Sequence, residues 1–247
     1  MKIFLFTTKH LLFHSEYFFS MKTAISFLRE LIANNHRDWF NQNKQYYKEA
    51  QNEFNCFIDS VIPEIRSFDS SIGDVQTKNC VFRIHRDIRF AHDKTPYKNH
   101  LGAYIAQSGR KSPLGGYYFH IEPDGAGYLN SSMWAGGIYN PDAPTLKAIR
   151  TDIYEHPQEY KSIIQNKEFT NTFQWFDGNK LSTAPKGFPK DFPDIELIKR
   201  KDFSFYRNID EQTLYSDRLL EETINVFKQM KPFNDFMNRA ILYHIDN

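Results

Sequence analysis

Between Met21 and Asn247 the hydrophobic period changes twice, from helical to extended and back to helical. Phe27, Leu28, Leu31 and Ile32 recur at three- and four-residue spacing, which predicts a helix over about residues 23–34, broken by Asn34-Asn35. A second, longer helical pattern places Trp39, Phe40, Ala50, Phe54, Phe57, Ile58, Val61 and Ile65 on one face. Pro63 is expected to kink or end it, because proline lacks a backbone donor and its ring crowds the preceding turn. From Asn79 the period becomes two: Phe82, Ile84, Ile88 and Phe90 alternate with Arg83, His85, Asp87 and Arg89, the pattern of a half-buried strand. Further strands are predicted at 101–107, 116–122 and 125–133, separated by Gly- and Pro-containing turns, as in an antiparallel meander.

After Pro141-Asp142-Ala143-Pro144 the helical period returns with Leu146, Ile149, Ile153 and Tyr154. A proline-rich loop spans 182–194, and Phe203, Phe205 and Ile209 suggest one more strand. Two C-terminal helices are predicted, one marked by Leu220, Ile224, Phe227 and Met230, the other by Phe233, Phe236, Met237, Ala240 and Ile241. Helices, then strands, then helices predict an α+β fold: an antiparallel β-sheet meander packed against N- and C-terminal helices. No repeat or flexible linker interrupts residues 21–247, so a single domain is expected there. Residues 1–20 read as a dispensable extension before a start at Met21. Their apolar run is broken by Lys9-His10 and no small-residue cleavage site follows.

No apolar stretch reaches the roughly 18 residues of a membrane span. The two cysteines, Cys56 and Cys80, form no CxxC pair, so neither a zinc ribbon nor a disulfide framework is expected, and both thiols are expected to be buried. The expected location is the cytoplasm. The net charge of +1 excludes a polycation that would coat nucleic acid through its overall field.

The charge is unevenly distributed, however. Residues 78–111 carry eight Lys/Arg against two Asp/Glu, a local net charge of +6, and the rest of the chain carries −5. In a regular strand Arg83, His85, Asp87 and Arg89 would share one face, while Arg86 would fall on the apolar face and need a partner or a bulge. Guanidinium forks match carboxylates and phosphates, so this cluster points to an anionic ligand held by Arg83, Arg86, Arg89, Lys94 and Lys98. Asp87 and Asp93 are the internal counter-ions, Asp87 or His120 is the candidate acid/base, and Tyr97 and Trp134 are candidate wall residues. Lys186, in the stiff Pro-Lys-Gly-Phe-Pro loop, can cover a cleft. The competing structural reading is an edge strand whose charges discourage aggregation.

The run Arg83-Ile84-His85-Arg86-Asp87-Ile88-Arg89-Phe90 followed by Asp93-Lys94-Thr95-Pro96-Tyr97-Lys98 resembles the signature of domain of unknown function 2461. Gly116-Tyr117-Tyr118, Trp134-Ala135-Gly136-Gly137 and Pro185-Lys186-Gly187-Phe188-Pro189 resemble it too, and the likeness spans about residues 22–235. The resemblance implies a bacterial cytosolic domain with no assigned activity and supplies no catalytic residues.

Other chemistry finds less support. His85, His92, His100, His120 and Glu122 can be assembled into a metal set on paper, but no spacing matches HExxH or another compact motif, so no metal is expected. GxSxG, GxxxxGK[ST] and a strand–GxGxxG–helix unit are all missing, and no cofactor is expected. Three functions remain: a binder of, or enzyme acting on, a small phosphorylated or carboxylated anion; a nucleic-acid-associated module; or a non-catalytic structural or interaction protein. The sequence leaves the oligomeric state open.

Overall fold

The computed structural model describes residues 19–176, 178 and 180–245; of the extension expected at residues 1–20, all but Phe19 and Ser20 lies outside them. Three helices open the described chain: α1 (Lys22–Ala33), α2 (Arg37–Gln42) and α3 (Lys44–Phe68). α1 buries Ala24, Ile25, Phe27, Leu28 and Leu31, so three of the four residues marking the predicted stripe are buried, while Ile32 is exposed. α3 continues through Pro63 rather than ending there, with Ile58, Val61, Ile62 and Ile65 all buried around it. Burial of that apolar face holds the last turns in helix although Pro63 removes one backbone hydrogen bond.

A short helix, α4 (Thr77–Cys80), leads into an irregular segment and then three strands, β1 (Leu101–Ile105), β2 (Gly116–Ile121) and β3 (Ser132–Ile138). Helices α5 (Ala143–Glu155), α6 (Pro157–Ile164) and α7 (Lys167–Thr172) follow, then β4 (Gln174–Trp175), α8 (Ile195–Ile198), β5 (Phe203–Ile209), α9 (Glu211–Leu214) and α10 (Leu219–Ile245). The five strands form one antiparallel sheet in the order β1-β2-β3-β5-β4. The fold is α+β. α10 is one continuous helix through Pro232, not the two that the sequence pattern suggests.

Period two sorts the sheet into unlike faces. Tyr117, Phe119 and Ile121 of β2 and Trp134 of β3 point to the helices. Phe119 packs on Phe54 and Phe57 of α3, Tyr117 on Phe227 of α10, and the Trp134 indole donates to Thr223 of α10. The register sets Tyr104, Tyr118 and Ala135 side by side on the opposite face. That face is covered by irregular segments rather than α-helices.

The predicted strand at 79–90 does not form. Residues 77–80 are helical, and beyond them only isolated bridges occur, Val81 to Ala103 and His85 to Tyr97. Here local bonds displace a ladder. Asp87 accepts from the backbone N–H of Arg89 and Asp93 from that of Thr95, each turning the chain, and Pro96 has no N–H to offer. The alternation was therefore misleading: Ile84 is buried, Ile88 half-buried and Phe90 95% exposed. Residues 125–131, predicted as extended, form a loop with positive φ at Gly125, Gly127 and Asn130, and β3 starts only at Ser132. The two thiols also part company, since Cys80 is buried but Cys56 is exposed.

Candidate functional site

Two adjoining cavities are present, the first against the sheet face that carries Tyr104 and Tyr118, the second between the 86–100 segment, the 126–128 loop and the end of α1. The first, of about 400 Å³, has Phe82, Tyr104, Tyr118, Tyr128 and Phe176 among its walls, with Lys98 and Arg110 as its cations. The second, of about 590 Å³, is lined by Arg86, Asp87, Asp93 and Tyr97 among others. Lys98, His100 and Tyr128 border both. Volumes of this size suit small organic ligands.

Along β2 and the residue after it, period two sets Tyr118, His120 and Glu122 on one face. They are joined in a line: the Tyr118 hydroxyl donates to His120 Nδ1 at 2.9 Å, and His120 Nε2 donates to Glu122 Oε2 at 3.0 Å. Glu122 is buried and also accepts from the backbone N–H groups of Tyr128 and Leu129, each at 2.9 Å, and from Asn99 Nδ2 at 3.3 Å. Burial alone would push its carboxyl up, but the bonds from His120, Leu129 and Tyr128 outweigh this and hold it below its ordinary value. A carboxylate can only accept, so it fixes the imidazole proton on Nε2 and leaves Nδ1 as the acceptor for Tyr118.

Burial lowers the pKa of His120 despite the neighbouring carboxylate. His100, stacked on Tyr128 at 4.4 Å between ring centroids, is pushed down to about 2 by burial, with His120 and Lys98 adding to the effect. Both imidazoles are neutral at physiological pH. Burial raises the Tyr118 phenol above its ordinary value. Lys98 is half-buried, and its ammonium lies 5.3 Å from the centre of the Phe82 ring. Burial and then the charge of Arg83 lower its pKa. None of the ion pairs among the described residues involves Lys98.

The residues singled out in the sequence thus fall into groups. Arg86, Asp87, Asp93, Tyr97 and Lys98 share the second cavity. Arg86 is paired with Asp93 and Thr95, and Arg89 with Asp87 at 2.6 Å, so these charges are matched within the segment. The Thr95 backbone and Arg86 together bring Asp93 down to about 2, and the Arg89 bond lowers Asp87. Lys94 reaches the Ile88 carbonyl at 3.1 Å, and Arg83, Arg89 and Lys94 border neither of these two cavities. His120 is fully buried behind the first cavity's wall, Trp134 is on the helix side, and Lys186 is exposed on its loop.

Tyr118 was not singled out by sequence, and Glu122 and His100 were weighed only as metal ligands. The available signal was the period-two run Tyr118, His120, Glu122, three chemically capable side chains on one strand face. Among the described residues, Asp152, Glu155 and His156 are the one group of three whose donor atoms all lie within 4.8 Å. Asp152 there already accepts from Arg239 at 2.8 Å.

An α+β sheet with one helix-covered face and one face holding a buried Tyr–His–Glu line beside paired cavities is the class of protein these observations define. The chain belongs to the conserved hypothetical protein family DUF2461, whose model matches residues 23–236. No curated protein and no solved structure matches it. No helix among the described residues is long and apolar enough to cross a membrane.

Proposed function

We propose that the protein binds a small phosphorylated or carboxylated compound with an apolar or aromatic body, using Lys98 as the anion anchor. The observation that carries this reading is Lys98 itself: a half-buried ammonium at the junction of two cavities, outside every described ion pair. Holding a cation in such a place is unfavourable, and an anion that replaces the lost water offsets it. The aromatic walls of the first cavity suit a ring or apolar chain. Arg86, Asp93 and Tyr97 border the second cavity, where a polar tail of the ligand would lie. The nucleic-acid alternative draws less support, because Arg86 and Arg89 already face carboxylates. A bacterial cytoplasmic setting belongs to the same reading, and two free thiols fit a reducing compartment.

Thermal-shift measurements with benzoate and phenyl phosphate test it. At ligand concentrations about a hundredfold over Kd, binding stabilises the native state by about 2.7 kcal/mol. Lys98→Met keeps the apolar stem and removes the charge, so it should abolish the shift while leaving the unliganded melting temperature unchanged or higher. Absence of any shift at millimolar ligand, or an equal shift in Lys98→Met, refutes the anchor.

A further inference from the structure

An anion anchor does not explain the line of bonds behind it. Glu122 alone can organise the 126–129 loop through two backbone N–H groups and Asn99. His120 adds something that loop does not need, an imidazole with Nε2 fixed on the carboxylate and Nδ1 turned to a phenol. That phenol belongs to a ring lining the first cavity, which also contains Lys98. The site is tightly built: a Cβ on Gly102 would stand 2.6 Å from the Tyr118 hydroxyl oxygen, so the strand opposite leaves room for the hydroxyl only because residue 102 is glycine. A hydroxyl bonded to an imidazole whose other nitrogen is held by a buried carboxylate is the arrangement that activates nucleophilic hydroxyls in acyl-transfer enzymes.

We infer that Tyr118, His120 and Glu122 form a catalytic relay in which the Tyr118 hydroxyl attacks the acyl carbon of a small anionic ester held in the first cavity. This inference rests on Lys98 as the anchor. As the Tyr118 oxygen–carbon bond forms, the phenolic proton passes to His120 Nδ1, and Glu122 stabilises the imidazolium. The ester C–O bond then breaks, and the departing alkoxide takes the proton from Nδ1. Water, deprotonated by the same imidazole, attacks the acyl-tyrosine, releases the carboxylic acid and restores the Tyr118 hydroxyl. The relay removes the proton only as the bond forms, so no standing phenolate is required in a site where burial disfavours one. Tyr118 is the catalytic residue; Glu122 acts through His120 as a positioning residue.

The test uses para-(fluorosulfonyl)benzoate on the full chain, a reagent whose carboxylate suits Lys98 and whose ring suits the cavity. Reaction joins the Tyr118 oxygen to sulfur, breaks S–F, releases fluoride and sends the proton through His120 to water. Peptide mass spectrometry should find one aryl sulfonate, on Tyr118. Excess para-sulfamoylbenzoate, an unreactive analogue, should suppress it. Tyr118→Phe should abolish labelling, and His120→Asn should slow it about a hundredfold, the scale of general-base assistance. Circular dichroism checks that each variant is folded.

Should His120→Asn fail to fold, the pH profile of the unmodified protein decides. The titratable groups facing His120 are Tyr118 on its own strand and Glu122 just after it, Lys98 and His100 beside β1, and Tyr128 on the following loop. Labelling by the relay should fall on the acid side through a single protonation below the ordinary imidazole value of 6.5. If labelling is absent, falls on another residue or is indifferent to His120 and to pH, while para-sulfamoylbenzoate still raises the melting temperature, the relay is overturned and the anchor stands. If para-sulfamoylbenzoate does not bind either, both readings fall.

Discussion

Replacing Glu122 with glutamine changes one oxygen to an amide nitrogen and should be among the most damaging isosteric substitutions in the chain. The residue is 1% exposed and its side chain receives four donors. Oε2 takes His120 Nε2 and the Leu129 N–H; Oε1 takes the Tyr128 N–H and Asn99 Nδ2. Whichever way the new amide turns, its NH2 meets two donors instead of accepting from them. A hydrogen bond to a charged group contributes roughly 1.5–3 kcal/mol, so losing two implies about 3–6 kcal/mol, partly relieved if His120 moves its proton to Nδ1. That tautomer change would in turn make Nδ1 the donor and turn the Tyr118 hydroxyl into its acceptor. Urea unfolding measures the first effect and imidazole nitrogen chemical shifts the second. A loss below about 1 kcal/mol, with the Nε2–H tautomer intact, would refute the claim that Glu122 is an ionised, fully engaged acceptor.

Three further outcomes follow from the same geometry. Below pH 6.5 stability should fall: unfolded imidazoles protonate there while folded His100 and His120, both depressed, stay neutral, so protons favour unfolding. The two together give a slope approaching about 2.7 kcal/mol per pH unit in urea titrations, and a flat profile between pH 6.5 and 5 contradicts their burial as neutral groups. Gly137→Ala should destabilise by roughly 2–5 kcal/mol, since φ is +92° and a Cβ would sit 2.2 Å from the Phe203 carbonyl oxygen; a melting temperature within a degree or two of the parent contradicts this. A chain beginning at Met21 should lose at least about 0.5–1.5 kcal/mol, the contact of Phe19 with Phe57 at 5.6 Å, and a collapse of the melting transition would show the preceding residues to be integral.

Long elements were legible because each buries an apolar face over several turns. α1, α3 and α10 each bury an apolar stripe, and the 3.6-residue spacing that records it survives Pro63 and Pro232. Prolines mark local hydrogen-bond loss but do not measure the packing that outweighs it, which is why breaks predicted at those sites are absent. The 81–90 run failed for the opposite reason. Its alternation is genuine in sequence, yet Asp87 and Asp93 bond to backbone two residues onward and form turns, a competition that period alone does not register. The candidate site was legible at Lys98, Arg86 and Asp93 because charge density flags them, and at Tyr97 because it lies in the same run. Tyr118 and Glu122 escaped because a single tyrosine or glutamate in a strand carries no charge-cluster signal. Only their common register with His120 does.

That register also explains why chemistry would gather on this face rather than on the basic segment. Charged side chains on the 83–98 excursion can satisfy one another, as Arg86 does with Asp93 and Arg89 with Asp87, so their number says little about an external ligand. A strand face fixes its side chains by the ladder on both sides: β1 and β3 pair with β2 from Gly116 to Ile121, which leaves Tyr118 and His120 little freedom to choose other partners. Lys98 joins the two systems. It follows the last bond of the excursion, where its N–H donates to the Ile84 carbonyl at 2.8 Å, and its side chain lines the cavity over the strand face. The basic segment thereby delivers Lys98, a cation outside every described ion pair, to the face where an ordered phenol, imidazole and carboxylate are already in line.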